Sequence, residues 1–185
     1  MYNDISFVKK YLKETANRDG LLLVNILRTY LPVGMSVLEI GMGPGQDLDL
    51  LKIDYVATGS DNSDPFLDLY FRKHPNADII KLDARTLETE RRFCCVYSNK
   101  VLSHLNSEEL NLSLYNQKYV LEGPKYAMHS FWLGDNDVDQ TNGVLTYKWE
   151  KSRLLDMLNK KFTVIEEIIY DEIDTEDSIF VILQD

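Results

Sequence analysis

Val37-Leu38-Glu39-Ile40-Gly41-Met42-Gly43-Pro44-Gly45 runs from an apolar stretch directly into three alternate glycines. The run before Gly41 reads as a short buried strand, and a helix is expected to begin near Gln46. Glycines turn the chain sharply and let a ligand approach the backbone with no Cβ in the way. In open α/β sheets, ligands bind outside the carboxyl ends of the strands, which is where such a loop lies. A dinucleotide fingerprint, Gly-x-Gly-x-x-Gly, needs its third glycine at position 46, where this chain has Gln46. The third glycine comes one residue early, and the dinucleotide reading loses.

Downstream, strands and helices alternate. Tyr55 to Ser60 reads as a second strand, Asp78 to Leu82 as a third, Phe93 to Ser98 as a fourth and Tyr126 to Trp132 as a fifth. Helical spacing predicts helices over Asp64 to Lys73, Glu108 to Leu121 and Glu150 to Lys160. The tail differs. Phe162 to Ile173 and Ser178 to Leu183 are strand-like runs joined by Asp174-Thr175-Glu176-Asp177, a turn too short for a parallel crossover. Upstream, Ile5, Val8, Tyr11 and Leu12 recur at helical spacing, and Asn17-Arg18-Asp19-Gly20 interrupts them. A second helix follows through Leu22, Ile26, Leu27 and Tyr30, with Asp19 as its candidate cap, and ends before Pro32. The expected architecture is therefore α/β and doubly wound, one domain over residues 1–185, with N-terminal cap helices over 1–33 and a core over 36–185.

The totals agree with one globular domain. The chain has 185 residues, 44% hydrophobic and 27% charged, enough for a sizeable core and little more. Its formal net charge of −10 suits it poorly to extended nucleic acid, which carries one negative charge per ~1.7 Å of duplex axis. No apolar run approaches the roughly 20 residues that span a bilayer, and Met1-Tyr2-Asn3-Asp4 does not begin a signal peptide. A cytoplasmic protein without membrane partners is expected. Cys94 and Cys95 are adjacent inside an apolar run and read as buried strand positions, with no spaced Cys/His set to hold a metal.

Two further strand ends carry acids. Asp61 closes the second strand about twenty residues beyond the first glycine, where ribose-binding acids sit in this topology, and its carboxylate can accept from two hydroxyls at once. Asn62, Ser63 and Asp64 can each cap the next helix, so capping alone does not require Asp61. Lys81-Leu82-Asp83-Ala84 ends the third strand, and taken singly Asp83 reads as a turn aspartate. An acid two places before the first of several alternating glycines, followed by these strand ends in order, resembles the class I methyltransferases that use S-adenosylmethionine. The resemblance spans nearly the whole chain. It implies a seven-stranded, mostly parallel sheet with a C-terminal antiparallel hairpin. It also implies a cofactor site of Glu39, Gly41, Gly43, Gly45, Asp61 and Asn62, with Asp83 and Ala84 at the adenine and Ser98 and Asn99 beneath the methionine moiety.

At the reaction end, Val101-Leu102-Ser103-His104-Leu105 resembles a Val-Leu-x-His-Leu sequence often found in small-molecule methyltransferases. The family often begins this strand with Phe-Asp, and this chain has Phe93-Cys94 instead. The Asp/Asn-Pro-Pro-aromatic sequence common in enzymes that methylate nucleobase amines is missing, and no set of oxygen ligands suggests a metal. His104 and His129 are the candidate bases, each also readable as a hydrogen-bonded core histidine. Tyr11, Trp132 and Tyr147 are candidate substrate contacts, the last two flanking a segment, Leu133 to Thr146, expected to be a covering loop. The expected function is methyl transfer to a small-molecule acceptor by a monomer or homodimer. The alternative is a non-catalytic sensor or subunit that binds the same cofactor or its demethylated product.

Overall fold

The computed structural model describes Asp4, Val8 and residues 20–141 and 144–185. Of the helix expected before Gly20, Val8 is helical and buried, its N–H bonded to the Asp4 carbonyl, while Tyr2, Tyr11 and Asp19 lie outside the described residues. Helix α1 (Leu21–Tyr30) follows, burying Leu23, Val24 and Leu27 and stopping before Pro32, whose ring disfavours helix at the preceding residue. Strand β1 (Ser36–Ile40) is buried throughout its last four positions. The glycine loop delivers the chain into α2 (Gln46–Leu51).

Strands β2 (Val56–Asp61), β3 (Ile79–Lys81), β4 (Phe93–Asn99) and β5 (Leu121–Leu133) complete the parallel part of the sheet. They are connected by α3 (Asp64–Lys73), a 3-10 turn (Val101–His104) and α4 (Ser107–Val120). Local chemistry sets these starts. Ser63 caps α3 with Pro65 in its first turn, and Asn106 and Glu109 form a reciprocal capping box on α4. After α5 (Lys151–Asn159) come β8 (Thr163–Tyr170) and β9 (Ser178–Gln184), which pair antiparallel; β9 also pairs antiparallel with β5. Among the described residues the sheet has nine strands, seven of which run in the order β3-β2-β1-β4-β5-β9-β8 with the C-terminal hairpin at one side. Helices α1 and α2 pack through Leu23, Leu27, Leu48 and Leu51 on one face. Helices α4 and α5 pack through Leu110, Leu114, Leu154 and Leu158 on the other. No helix among the described residues is long and apolar enough to cross a membrane.

One segment departs from expectation. Leu133 to Thr146 is no plain loop but holds a second hairpin, β6 (Val138–Thr141) with β7 (Val144–Trp149), paired Val138↔Tyr147 through Thr141↔Val144. It joins the main sheet only where Trp132 and Leu133 of β5 meet Lys148 and Trp149. Gly134 adds a backbone bond to the Trp149 carbonyl. Of its acids, Asp139 pairs with Lys148 at 2.8 Å.

Candidate functional site

A cavity of about 350 Å³ opens at the carboxyl ends of β1 to β4. Ile40, Gly41 and Gly43 form one wall; Asp61, Asn62 and Phe66 the next; Leu82, Asp83, Ala84 and Arg85 a third; and Asn99, Lys100, Val101, His104, Leu105 and Glu109 close it. Of the residues expected at a cofactor site, Gly41, Gly43, Asp61, Asn62, Asp83, Ala84 and Asn99 line this one space. Glu39, Gly45 and Ser98 do not.

The glycine loop makes this wall by conformation and by space. Gly41, Gly43 and Gly45 all have positive φ, at 70°, 49° and 85°. A Cβ on Gly45 would meet the Tyr70 ring at 2.2 Å, whereas a Cβ on Gly43 would meet nothing within 4 Å. Gly45 is thus a packing glycine and Gly43 a glycine that faces open space. Asp61 ties the loop to the next strand: Gly43 N donates to its Oδ2 at 2.9 Å and Ser63 N to its Oδ1 at 2.8 Å. Burial raises its pKa, and these backbone donors pull the other way. Asp83 is gripped by Arg85, whose Nε and Nη2 donate at 2.9 and 2.5 Å and hold the carboxyl below its ordinary range; Arg85 also reaches Glu109 at 3.2 Å. The guanidinium thus joins the third wall to Glu109 on the closing side, and the sequence, read by motif, missed both.

Beneath the loop lies a concentration of acid. Glu39 is buried, and among the described residues its Oε2 has no hydrogen-bond partner. Burial, then the charges of Asp47, Asp61 and Asp49, push its pKa well up. Asp47 is the hub of the neighbouring network. It accepts from Gly20 N at 2.6 Å, the Tyr97 hydroxyl at 2.7 Å and Asn99 Nδ2 at 3.1 Å. Asn99 Oδ1 in turn accepts from Ser130 Oγ at 2.7 Å, and Ser130 Oγ accepts from Lys100 N at 2.8 Å. This chain of bonds fixes the side chain that Asn99 presents to the cavity.

The two histidines part company. His104 lines the cavity, and its Nδ1 donates to the Leu145 carbonyl of β7 at 2.8 Å, so a neutral ring carries its lone pair on Nε2. Burial lowers its pKa, opposed by that carbonyl. His129 lies in the core and is fully buried. Its Nδ1 meets Ser98 Oγ at 2.9 Å across the β4–β5 pair, and its Nε2 meets Gln117 Oε1 at 2.8 Å. Ser98 is spent on the same contact and is fully buried too. Both side chains thus sit away from the cavity, because strand alternation turns them toward α4.

Burial drives the His129 pKa down to about 3 from an ordinary 6.5. Between those values the unfolded chain binds the extra proton, so this residue's contribution to stability is present above pH 6.5 and lost as pH falls toward 3. The slope is about 1.4 kcal/mol per pH unit inside that window. Chemical denaturation of wild type and His129→Gln at several pH values checks it: the stability difference between the two should shrink as pH falls from 6.5 to 4. A constant difference would contradict a neutral buried ring.

Of the aromatic candidates, Trp132 lies half-buried with the Lys100 ammonium 3.9 Å from its ring centroid. Tyr147 packs partly buried against the hydrophobic core. Among the described residues, no group of three or more His, Cys, Asp or Glu is arranged to hold a metal ion.

At the level of sequence, comparison with protein families and with curated proteins gives no match. Solved structures do match. The 1,6-didemethyltoxoflavin-N1-methyltransferase of Burkholderia thailandensis, bound to 1,6-didemethyltoxoflavin and S-adenosylhomocysteine, superposes with a TM-score of 0.79 at 17% identity, covering 97% of this chain and 85% of that one. A methyltransferase of Methanosarcina mazei that depends on S-adenosylmethionine gives 0.74 at 15% identity, covering 86% and 96%. A similar enzyme of Clostridium acetobutylicum gives 0.74 at 12% identity, covering 97% of each chain. The chain has the Rossmann-like fold of the class I methyltransferases.

Proposed function

We propose that this protein is a methyltransferase that uses S-adenosylmethionine and acts on a small-molecule acceptor by direct in-line transfer. The observation that carries the reading is the buried Glu39 carboxyl beneath the glycine loop, whose Oε2 has no hydrogen-bond partner among the described residues, with Asp47, Asp49 and Asp61 around it. Such a cluster calls for a cation. S-adenosylmethionine brings an ammonium and a sulfonium, whereas a dinucleotide would bring a diphosphate into the same field and be repelled.

When bound, the cofactor supplies an electrophilic methyl group on sulfur. The chain's own residues do the rest. Gly41 and Gly43 offer a wall without side chains, and Asp61 keeps lone pairs for ribose hydroxyls beyond the two backbone bonds it already accepts. Asn99, fixed by Asp47 and Ser130, presents a polar group at the methyl end. His104 is the remaining candidate base for an acceptor that must lose a proton. An acceptor that arrives already ionised requires none.

Calorimetric titration with S-adenosylmethionine tests the cofactor. Wild type is expected to bind near micromolar, and Asp61→Ala about 100-fold more weakly, since two hydrogen bonds to a charged group are lost at roughly 1.5 kcal/mol or more each. Failure of the folded wild type to bind at millimolar ligand would end this reading. Release of S-adenosylhomocysteine on adding an acceptor then separates an enzyme from a protein that only binds.

A further inference from the structure

The carboxyl ends of β4 and β5, together with the start of β9 beside them, hold a second polar cluster centred on Lys100, which also lines the edge of the cofactor cavity. Lys100 leaves β4 in the left-handed conformation, at φ 62°, and its side chain crosses to the neighbouring strands. Its Nζ donates to the Phe131 carbonyl at 2.9 Å and to Ser178 Oγ at 2.5 Å. The same ammonium lies 3.9 Å from the centroid of Trp132 and 5.0 Å from that of Tyr170. All of these partners are neutral. Among the described residues Lys100 has no ion pair, although the chain carries 30 acids against 20 Lys and Arg. Among the described residues one of its three N–H groups has no acceptor, and the Tyr170 hydroxyl, buried beside Ser130, Ser178 and Glu172, makes no bond to them at full hydrogen-bonding geometry.

We propose that Lys100 is the acceptor-recognising residue, and that it holds the carboxylate of a small organic acid whose body lies against Trp132 and Tyr170. The proposal rests on the methyltransferase reading, because only there do the ends of β4 and β5 adjoin the transferred methyl. Two unused donors, one cationic and one phenolic, suit two oxygens of one anion. A half-buried ammonium with only neutral partners has given up water without gaining a charge partner, so an arriving carboxylate recovers what the fold leaves unsatisfied. Two acids face Nζ from the turn between β8 and β9. Asp177 is occupied, accepting from the backbone N–H groups of Glu172, Ile173 and Asp174 and from Ser178 Oγ, and Glu172 is exposed. Neither forms an ion pair with Lys100. Burial brings the Lys100 pKa down to about 7, with Glu172 and Asp177 opposing. A bound carboxylate raises it again, so binding at pH 8 draws a proton from solution.

The probes are benzoate and indole-3-carboxylate beside their neutral amides, titrated at pH 8 by calorimetry with and without S-adenosylhomocysteine. The carboxylates should bind at least tenfold more tightly than the amides, and their binding enthalpy should differ between phosphate and Tris as proton uptake requires. Lys100→Met keeps the hydrocarbon stem and should erase the preference; Lys100→Arg should keep part of it. Tyr170→Phe, which removes only the hydroxyl, should weaken the carboxylates about threefold to tenfold. Equal binding of acid and amide, no carboxylate binding at 10 mM in either state, or an undiminished preference in Lys100→Met would overturn the assignment. Binding of S-adenosylhomocysteine by the wild type is read separately, so a failure of the cofactor reading is told apart from a failure of this one.

Discussion

Gly43→Val should abolish S-adenosylmethionine binding, with affinity falling at least 100-fold, while the protein stays folded. The two effects separate because of what surrounds this glycine. Its φ of 49° costs an L-residue about 1–2 kcal/mol, and no atom of the described residues lies within 4 Å of the added Cβ. The space the valine enters is the cavity that Gly43 lines. Thermal melting should therefore drop by only a few degrees, at roughly 2–4 °C per kcal/mol for a chain of this length. Gly45→Val should behave in the opposite sense. There the added carbon meets the buried Tyr70 ring at 2.2 Å, and that ring is held by stacking on His74 and by its hydroxyl bond to Asp49. Calorimetry and melting on the two variants check the contrast. Wild-type affinity in Gly43→Val would remove the glycine loop from the binding site.

Asp47→Ala should be strongly destabilising, costing about 3–5 kcal/mol, because buried donors left without an acceptor cost roughly 1–3 kcal/mol each. Three donors lose their acceptor together: the Gly20 amide, the Tyr97 hydroxyl and the Asn99 amide, two of them in fully buried surroundings. One effect runs the other way, since removing Asp47 relieves a charge that presses on Glu39. That relief acts on a single carboxyl, against three donors left without an acceptor. The lost donors win. Asp47→Asn, which keeps one carbonyl acceptor, should cost about half as much. Urea denaturation measures both. A cost for the alanine variant near 1 kcal/mol would mean that water replaces the carboxylate in the buried network.

Much of this was legible in residues 36–61. A buried strand, three alternate glycines and an acid closing the next strand required a strand–turn–helix–strand with a ligand-facing loop, and the register Glu39↔Gly59 and Ile40↔Ser60 sets those features side by side. The hairpin at Val138 to Trp149 was hidden by its polarity, although Asn142-Gly143 between two short strand-like runs is a strong hairpin signal. Ser98 and His129 misled for a different reason. Sequence places both at the mouth end of a strand, but which face each side chain takes depends on a register that only pairing defines, and here the pair Ser98↔His129 faces α4. Lys100 was invisible because its surroundings come from Phe131, Trp132, Tyr170 and Ser178, brought together by strand order and not by spacing along the chain. Arg85 and Glu109 are apart by 24 positions and meet only because α4 folds back over the third strand end.

The outer part of the β6 and β7 hairpin projects from one corner of the molecule, while its base is fixed by two paired positions, the Gly134 bond, the His104 contact and the packing of Tyr147 and Trp149 on the core. Among the described residues it contributes none to the lining of the cavity. Lengthening a surface connection is thermodynamically mild, about 0.6 kcal/mol for each doubling. Over generations such an appendage can be trimmed, extended or exchanged while the cradle beside it is inherited unchanged. Lineages of this shape thus have a place to try new partners for an old reaction at little risk to the part that must not vary.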